Sequence, residues 1–152
     1  MKIYLDADSC PREAREMILR FSSRLKLHTI FAANRLIPNL PADVQMELCP
    51  PGDDSADNRI VELAEKGDLV ITRDLPLAER LSEKNVMAMD DRGRVFTKEN
   101  IRQLRSLRDF TVDLANSGLE YDRMPSYGKK ELKSFADSLD RELNRLLKTA
   151  GN

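Results

Sequence analysis

Gly67-Asp68-Leu69-Val70-Ile71-Thr72-Arg73-Asp74-Leu75-Pro76 holds a short, uninterrupted run of strand-forming residues. Leu69 to Thr72 shows no polar alternation, which is the pattern of a strand buried on both faces inside a parallel sheet. Asp74 follows almost at once. Pro76 then opens a helix, because a proline's missing N–H costs nothing in a first helical turn. Leu77, Ala78 and Leu81 form the apolar side of that helix, and Val86 to Met89 supplies the next strand. Strand, acid, helix and strand in this order form one β-α-β unit.

Upstream the same order recurs. Lys2 to Leu5 is an apolar run ending at Asp6, and Pro11 sits at the first position of a helix whose stripe is Ala14, Met17, Ile18 and Phe21. Leu27 to Ala33 reads as the second strand. Pro38 and Pro41 exclude regular helix between Asn34 and Asp43, leaving a connection with room for one helical turn. Val44 to Leu48 is a weaker, alternating strand. The rigid turn Pro50-Pro51-Gly52-Asp53-Asp54-Ser55 ends in a helix cap, and Ile60, Val61, Leu63 and Ala64 face inward before Gly67. The expected fold is therefore α/β, with a doubly wound, mostly parallel five-stranded sheet and right-handed crossovers.

Beyond Met89 the pattern changes. Asp90-Asp91-Arg92-Gly93 reads as a turn, Val95-Phe96 as the return arm of a hairpin, and Thr97 as the cap of a helix with stripe Ile101, Leu104, Leu107, Phe110 and Leu114. Residues 118–128 read as a loop. Leu132, Phe135, Ala136, Leu139, Leu143, Leu146 and Leu147 mark a last amphipathic helix. These two additional C-terminal helices are expected to pack on the sheet or on each other. The chain reads as one domain, residues 1–91 giving the sheet and crossover helices and 92–152 the hairpin and last helices, without repeats or low-complexity tracts.

At 152 residues the chain can close a core without disulfides or structural metals. No stretch suggests a signal peptide or a membrane span. Cys10 and Cys49 are the only cysteines and lack zinc-site spacing, so the expectation is two reduced thiols and a cytoplasmic location. The net charge of −1 gives no global attraction to nucleic acid, but charge is segregated. Residues 43–91 hold five Lys/Arg against thirteen Asp/Glu, whereas residues 92–152 hold thirteen against nine. Self-association is left open.

In a parallel sheet, residues just past the C-terminal strand ends converge on one rim, and ligands bind there. This selects Asp6 and Asp8 after the first strand, Asp53, Asp54 and Asp57 after the third, Asp74 after the fourth, and Asp90 and Asp91 after the fifth. Gathered carboxylates repel unless a cation or bound protons compensate. A site of hard oxygen donors without His or Cys points to Mg²⁺ or Mn²⁺, held by Asp6, by Asp54 or Asp57, and by Asp74, and able to activate water against a phosphoryl group. The bland alternative is helix capping by Asp8, Ser9 or Asp74. Asp68 precedes its strand and belongs on the opposite rim. Cys10 reads as a small buried residue rather than a nucleophile, and His28 as structural or surface.

For the substrate, the basic stretch Arg92 to Arg108 is the candidate for phosphate contact. It contains Arg92, Arg94, Lys98, Arg102, Arg105 and Arg108 against one internal acid, Glu99. Lys98, Arg102 and Arg105 share one helical side and could follow a nucleic-acid backbone, or could simply be a solvated face. Asn34 and Arg35, just past the second strand, could also reach a ligand at the rim.

Asp6-Ala7-Asp8-Ser9-Cys10-Pro11, Ala33-Asn34, Gly52-Asp53-Asp54-Ser55-Ala56-Asp57 and Gly67 to Ala78 together resemble the YaiI/YqxD family of bacterial proteins, within the PIN-like superfamily. The resemblance continues through Arg92-Gly93, Phe96 to Ile101, Arg108-Asp109-Phe110 and Phe135 to Asp140. It implies a PIN-like fold and a metal-dependent nuclease pocket, with Asp6 as the first-strand aspartate, Asp57 as the helix carboxylate, Asp74 as the aspartate after the fourth strand, and Asp8 and Asp54, from the family's own motifs, replacing or supplementing them as metal ligands. Asp57 stands where a typical PIN nuclease has Glu, and no second acid closely follows Asp74. The expected function is hydrolysis of RNA phosphodiester bonds through carboxylate-bound Mg²⁺ or Mn²⁺. The alternatives are a non-catalytic RNA- or protein-binding module and a phosphatase of the haloacid-dehalogenase type, which Asp6-Ala7-Asp8 would suit but Gly67-Asp68, lying before its strand, would not.

Overall fold

The computed structural model describes residues 1–52, 54–116 and 126–150, without the side chains of Ser9 and residues 111–116. Asp53, most of the loop expected at 118–128, and the Leu114 side chain lie outside the described residues. The run around Leu69 does what its composition demands. β4 (Leu69–Ile71) lies in the sheet interior with all three residues buried. It pairs in parallel with β1 (Lys2–Asp6) on one side and β5 (Met87–Met89) on the other. β2 (His28–Ala33) pairs with the far side of β1, and β3 (Val44–Leu48) forms the edge. The order β3-β2-β1-β4-β5 is parallel throughout.

Strand parity sorts the side chains between the two faces. Ile3, Leu5, Leu69 and Ile71 join Ala14, Ile18 and Phe21 of α1 (Arg12–Leu25) and Phe135, Leu139 and Leu143 of α5 (Lys129–Ala150). Tyr4, Val70 and Ala88 point the other way, toward α2 (Ser55–Leu63), α3 (Leu75–Glu83) and Ile101 of α4 (Lys98–Asn116). The last two helices thus cover opposite faces of the sheet. The β2–β3 connection contains no helical turn. Its Ile37 and Leu40 pack on the α1 side of the core, doing there what a crossover helix would do.

Two expectations about the C-terminal part change. The hairpin after β5 is a single antiparallel bridge between Met89 and Val95. The expected stripe of α4 is buried only at its start: Ile101 is 4% exposed, whereas Leu107 and Phe110 are each 60% exposed. The cause is length. α3 has nine residues and α4 nineteen, about 14 Å against about 28 Å of helix. α4 runs back along α3, so its second half outruns the surface that could bury it.

The turn after β5 is clamped to α5. Gly93 has φ +93°, and a Cβ there would lie 2.7 Å from the backbone oxygen of Ser134 and 2.7 Å from Ser138 Oγ. Ser134 Oγ also donates to the Arg92 carbonyl at 3.0 Å. Gly93→Ala combines overpacking against helix backbone with a strained conformation and is expected to cost about 2–4 kcal/mol. Urea denaturation measures this. A loss below about 0.5 kcal/mol would show that α5 can retreat.

Candidate active site

Parity brings the acidic residues together. Asp6 ends β1 on the α2–α3 face, one strand from Thr72 at the end of β4, and is 8% exposed. Thr72 Oγ1 donates to Asp6 Oδ2 at 3.0 Å and accepts the Asp74 N–H at 3.0 Å. Asp74 caps α3, its Oδ1 accepting the Leu77 N–H at 2.9 Å. Asp57 enters from the first turn of α2 and meets Asp74 by a side-chain hydrogen bond. Asp54, the residue before α2, adopts a left-handed φ of 65° and makes no side-chain cap.

Crowding appears in the protonation of Asp57. Burial, then the charges of Asp74, Asp6 and Asp54, push its carboxyl up to about 7. A proton held on Asp57 therefore offsets part of the repulsion. An unfolded aspartate loses its proton near about 4. Between these values the folded chain binds more protons than the unfolded one, so this group makes stability fall as pH rises from about 4 to about 7. Asp57→Asn keeps a donor toward Asp74 without the charge. It is expected to flatten that slope and to raise the urea midpoint at pH 8; a variant with the wild-type slope would show that Asp57 titrates normally.

Among the described residues, no three His, Cys, Asp or Glu side chains are grouped so as to hold a metal ion. The donor chemistry still suits Mg²⁺ or Mn²⁺, which accept one or two carboxylates and retain water elsewhere. Asp6, Asp57 and Asp74 are the carboxylates that face one another at this rim, with Asp54 beside them. Asp8 is engaged elsewhere: its Oδ2 accepts the Asn34 N–H at 2.9 Å, and its Oδ1 lies 3.9 Å from Arg35 Nε. Asn34 is tied to Ser55, whose Oγ donates to Asn34 Oδ1 at 2.9 Å, so it links β2 to the start of α2.

The basic residues divide between two grooves. Lys98, Arg102 and Arg105 line a groove of about 540 Å³ between α3 and α4, where Arg105 Nη1 is bound to both Glu79 oxygens at 2.9 and 2.7 Å. Arg92 lies near the rim, 3.8 Å from Glu131 of α5 and over the Tyr127 ring. Asp90 Oδ1 accepts the N–H groups of Arg92 and Arg94, and so shapes the turn. Asp91 is 2% exposed and bound by Arg73.

Sequence reading passed over Thr72 and the Arg73–Asp91 pair. Thr72 could have been found by parity, because in parallel register it falls beside Asp6 on the same face. Nothing in the local sequence signals the other pairing.

The remaining candidates behave as bland residues. Burial pushes the Cys10 thiol up to about 12, which disfavours the thiolate a nucleophile needs, and both cysteines are free. His28 is exposed at the start of β2, with Nε2 3.0 Å from Gln45 Oε1. Asp68 is buried at the opposite edge, where it accepts the N–H groups of Lys2 and Glu65. Gly67-Asp68 therefore stands across the sheet from Asp6, away from any phosphatase-type pairing with it.

Comparison with known proteins places the chain in a family. The family described as "Uncharacterized BCR, YaiI/YqxD family" matches residues 4–145. A UPF0178 protein of Myxococcus xanthus is 44% identical over 151 residues, covering 98% of each chain. One from Treponema denticola is 43% identical over 148 residues, covering 97% of this chain and 95% of its own. One from Treponema pallidum is 41% identical over 152 residues, covering 99% and 85%. No solved structure gives a significant match. With a family match across nearly the whole length and relatives of this similarity, the chain belongs to the YaiI/YqxD family.

Proposed function

We propose that the chain is a Mg²⁺- or Mn²⁺-dependent phosphodiesterase that hydrolyses RNA in the cytoplasm. One observation carries this reading: Asp6, Asp54, Asp57 and Asp74 converge closely enough that Asp57 keeps a proton up to about pH 7. A divalent ion bound there would stabilise charge developing on a phosphoryl group and lower the pKa of water beside it. Thr72 fixes Asp6 and Asp74 relative to each other, so the site is built on two strand ends rather than on mobile loops. Asp57 can hold or release a proton near neutral pH, the range in which a general acid or base is effective. No described helix is long and apolar enough to cross a membrane, and two free thiols suit a reducing compartment.

A second reading, a non-catalytic RNA-binding module, is favoured by the upward push on the Asp57 carboxyl itself, since a proton held there relieves the repulsion without an ion. Single-stranded RNA incubated with Mn²⁺ separates the two. Cleavage that EDTA abolishes is the expected result; binding without metal-dependent cleavage would establish the module instead.

A further inference from the structure

Beside the acidic cluster lies a second rim feature, a groove of about 300 Å³ between the Asp90–Arg94 turn, the start of α3 and the middle of α4. Asp74 lines it, so the groove opens directly from the carboxylates described above. Four arginines border it: Arg73, Arg92, Arg94 and Arg108. Two are already committed, Arg73 to Asp91 and Arg92 to Glu131. The negative charge of Asp90 is partly satisfied by the two turn N–H groups it accepts. Arg94 and Arg108 are exposed, and among the described residues no ion pair takes either guanidinium. The groove mouth therefore offers two exposed arginines, Arg94 and Arg108, set against Asp74 and Asp90, with partly buried Phe96 and Leu104 as its apolar floor. The groove between α3 and α4 is different, because its lining includes none of the rim carboxylates and its Arg105 is committed to Glu79.

Acid on one side and unpaired arginine on the other give the rim a direction. A polynucleotide strand needs donors for its phosphates and apolar surface for its bases, and guanidinium forks beside an apolar floor supply both. We propose that this groove seats the nucleotide adjoining the reacting phosphate of a single-stranded polynucleotide, with Arg94 and Arg108 on its phosphates. The strand then enters across the β5–α4 edge rather than along the α3–α4 groove. The inference rests on the reading of Asp74 as part of the reaction centre.

Binding without catalysis tests it. A short fluorescent single-stranded RNA, and a DNA of the same sequence, are titrated in EDTA at several salt concentrations and followed by anisotropy. Arg94→Ala/Arg108→Ala is expected to weaken binding at least tenfold and to reduce the slope of log K against log salt by about 1.4, two phosphate contacts on a single strand. Arg94→Lys/Arg108→Lys, which keeps the charge, should recover most of the slope. Arg20→Ala/Lys133→Ala, an equal charge change on the opposite face, should bind within about twofold of wild type. Circular dichroism confirms folding of each variant. Unchanged binding by Arg94→Ala/Arg108→Ala, or a loss that follows Lys98→Ala/Arg102→Ala instead, overturns the inference, as does absence of binding by wild type. The same proteins assayed with Mn²⁺ separate this inference from the catalytic reading. Cleavage with unaltered groove binding sinks only the groove, whereas groove-dependent binding without cleavage sinks only the nuclease.

Discussion

Asp6→Asn and Asp74→Asn are each expected to lower Mn²⁺-dependent cleavage of single-stranded RNA by about 10²-fold or more while leaving the fold intact. The two demands pull apart because of what each side chain does structurally. Asp74 accepts the Leu77 N–H as the cap of α3, and asparagine caps a helix about as well as aspartate. Asp6 accepts one hydrogen bond from Thr72 Oγ1, which an amide oxygen also accepts. What each replacement removes is a negative charge beside Asp57. An ion bound there would lose an anionic donor, and the carboxyl of Asp57 loses one of the charges that push it up. Activity should thus fall without a matching fall in the unfolding midpoint. If both variants cleave RNA as fast as wild type, the pocket is not the reaction centre.

The second large effect concerns stability, and it contrasts two phenylalanines on the last two helices. Phe135 is 0% exposed among α1, α5 and the sheet, whereas Phe110 is 60% exposed on the overhang of α4. Phe135→Ala deletes a ring from a close-packed layer that also holds Leu139 and Leu143. It should lower the unfolding free energy by about 3–5 kcal/mol. Phe110→Ala should change it by less than about 0.5 kcal/mol. Guanidinium denaturation of the two variants reads the difference directly. Comparable losses at both positions would mean that α5 is not docked on the α1 face.

The contrast between Phe110 and Phe135 marks one limit of sequence reading. Both recur at helical spacing among leucines, so periodicity assigns both to a buried stripe. Burial also requires a partner surface of matching length. That length depends on where α3 ends, which α4's own residues do not encode.

Strands and helices were legible because their signals are local: the unbroken Leu69 to Thr72 run, prolines at helix starts, and apolar spacing of 3.6 residues. The rim position of Asp6, Asp57 and Asp74 was legible too, since in a parallel sheet every strand points its C-terminal end the same way. Strand parity would have shown Thr72 beside Asp6 on one face, which sequence reading passed over. Tertiary structure alone decided the partners. Asp8 turned to Asn34 and Arg35, Arg105 to Glu79, Arg73 to Asp91, and Arg94 and Arg108 stand at the rim without an ion pair among the described residues. A charged side chain of several rotatable bonds can reach many counter-charges, and which it meets depends on elements far away in the chain. The proton on Asp57 has the same origin, because burial and three neighbouring carboxylates, from β1, the α2 cap and α3, set it together.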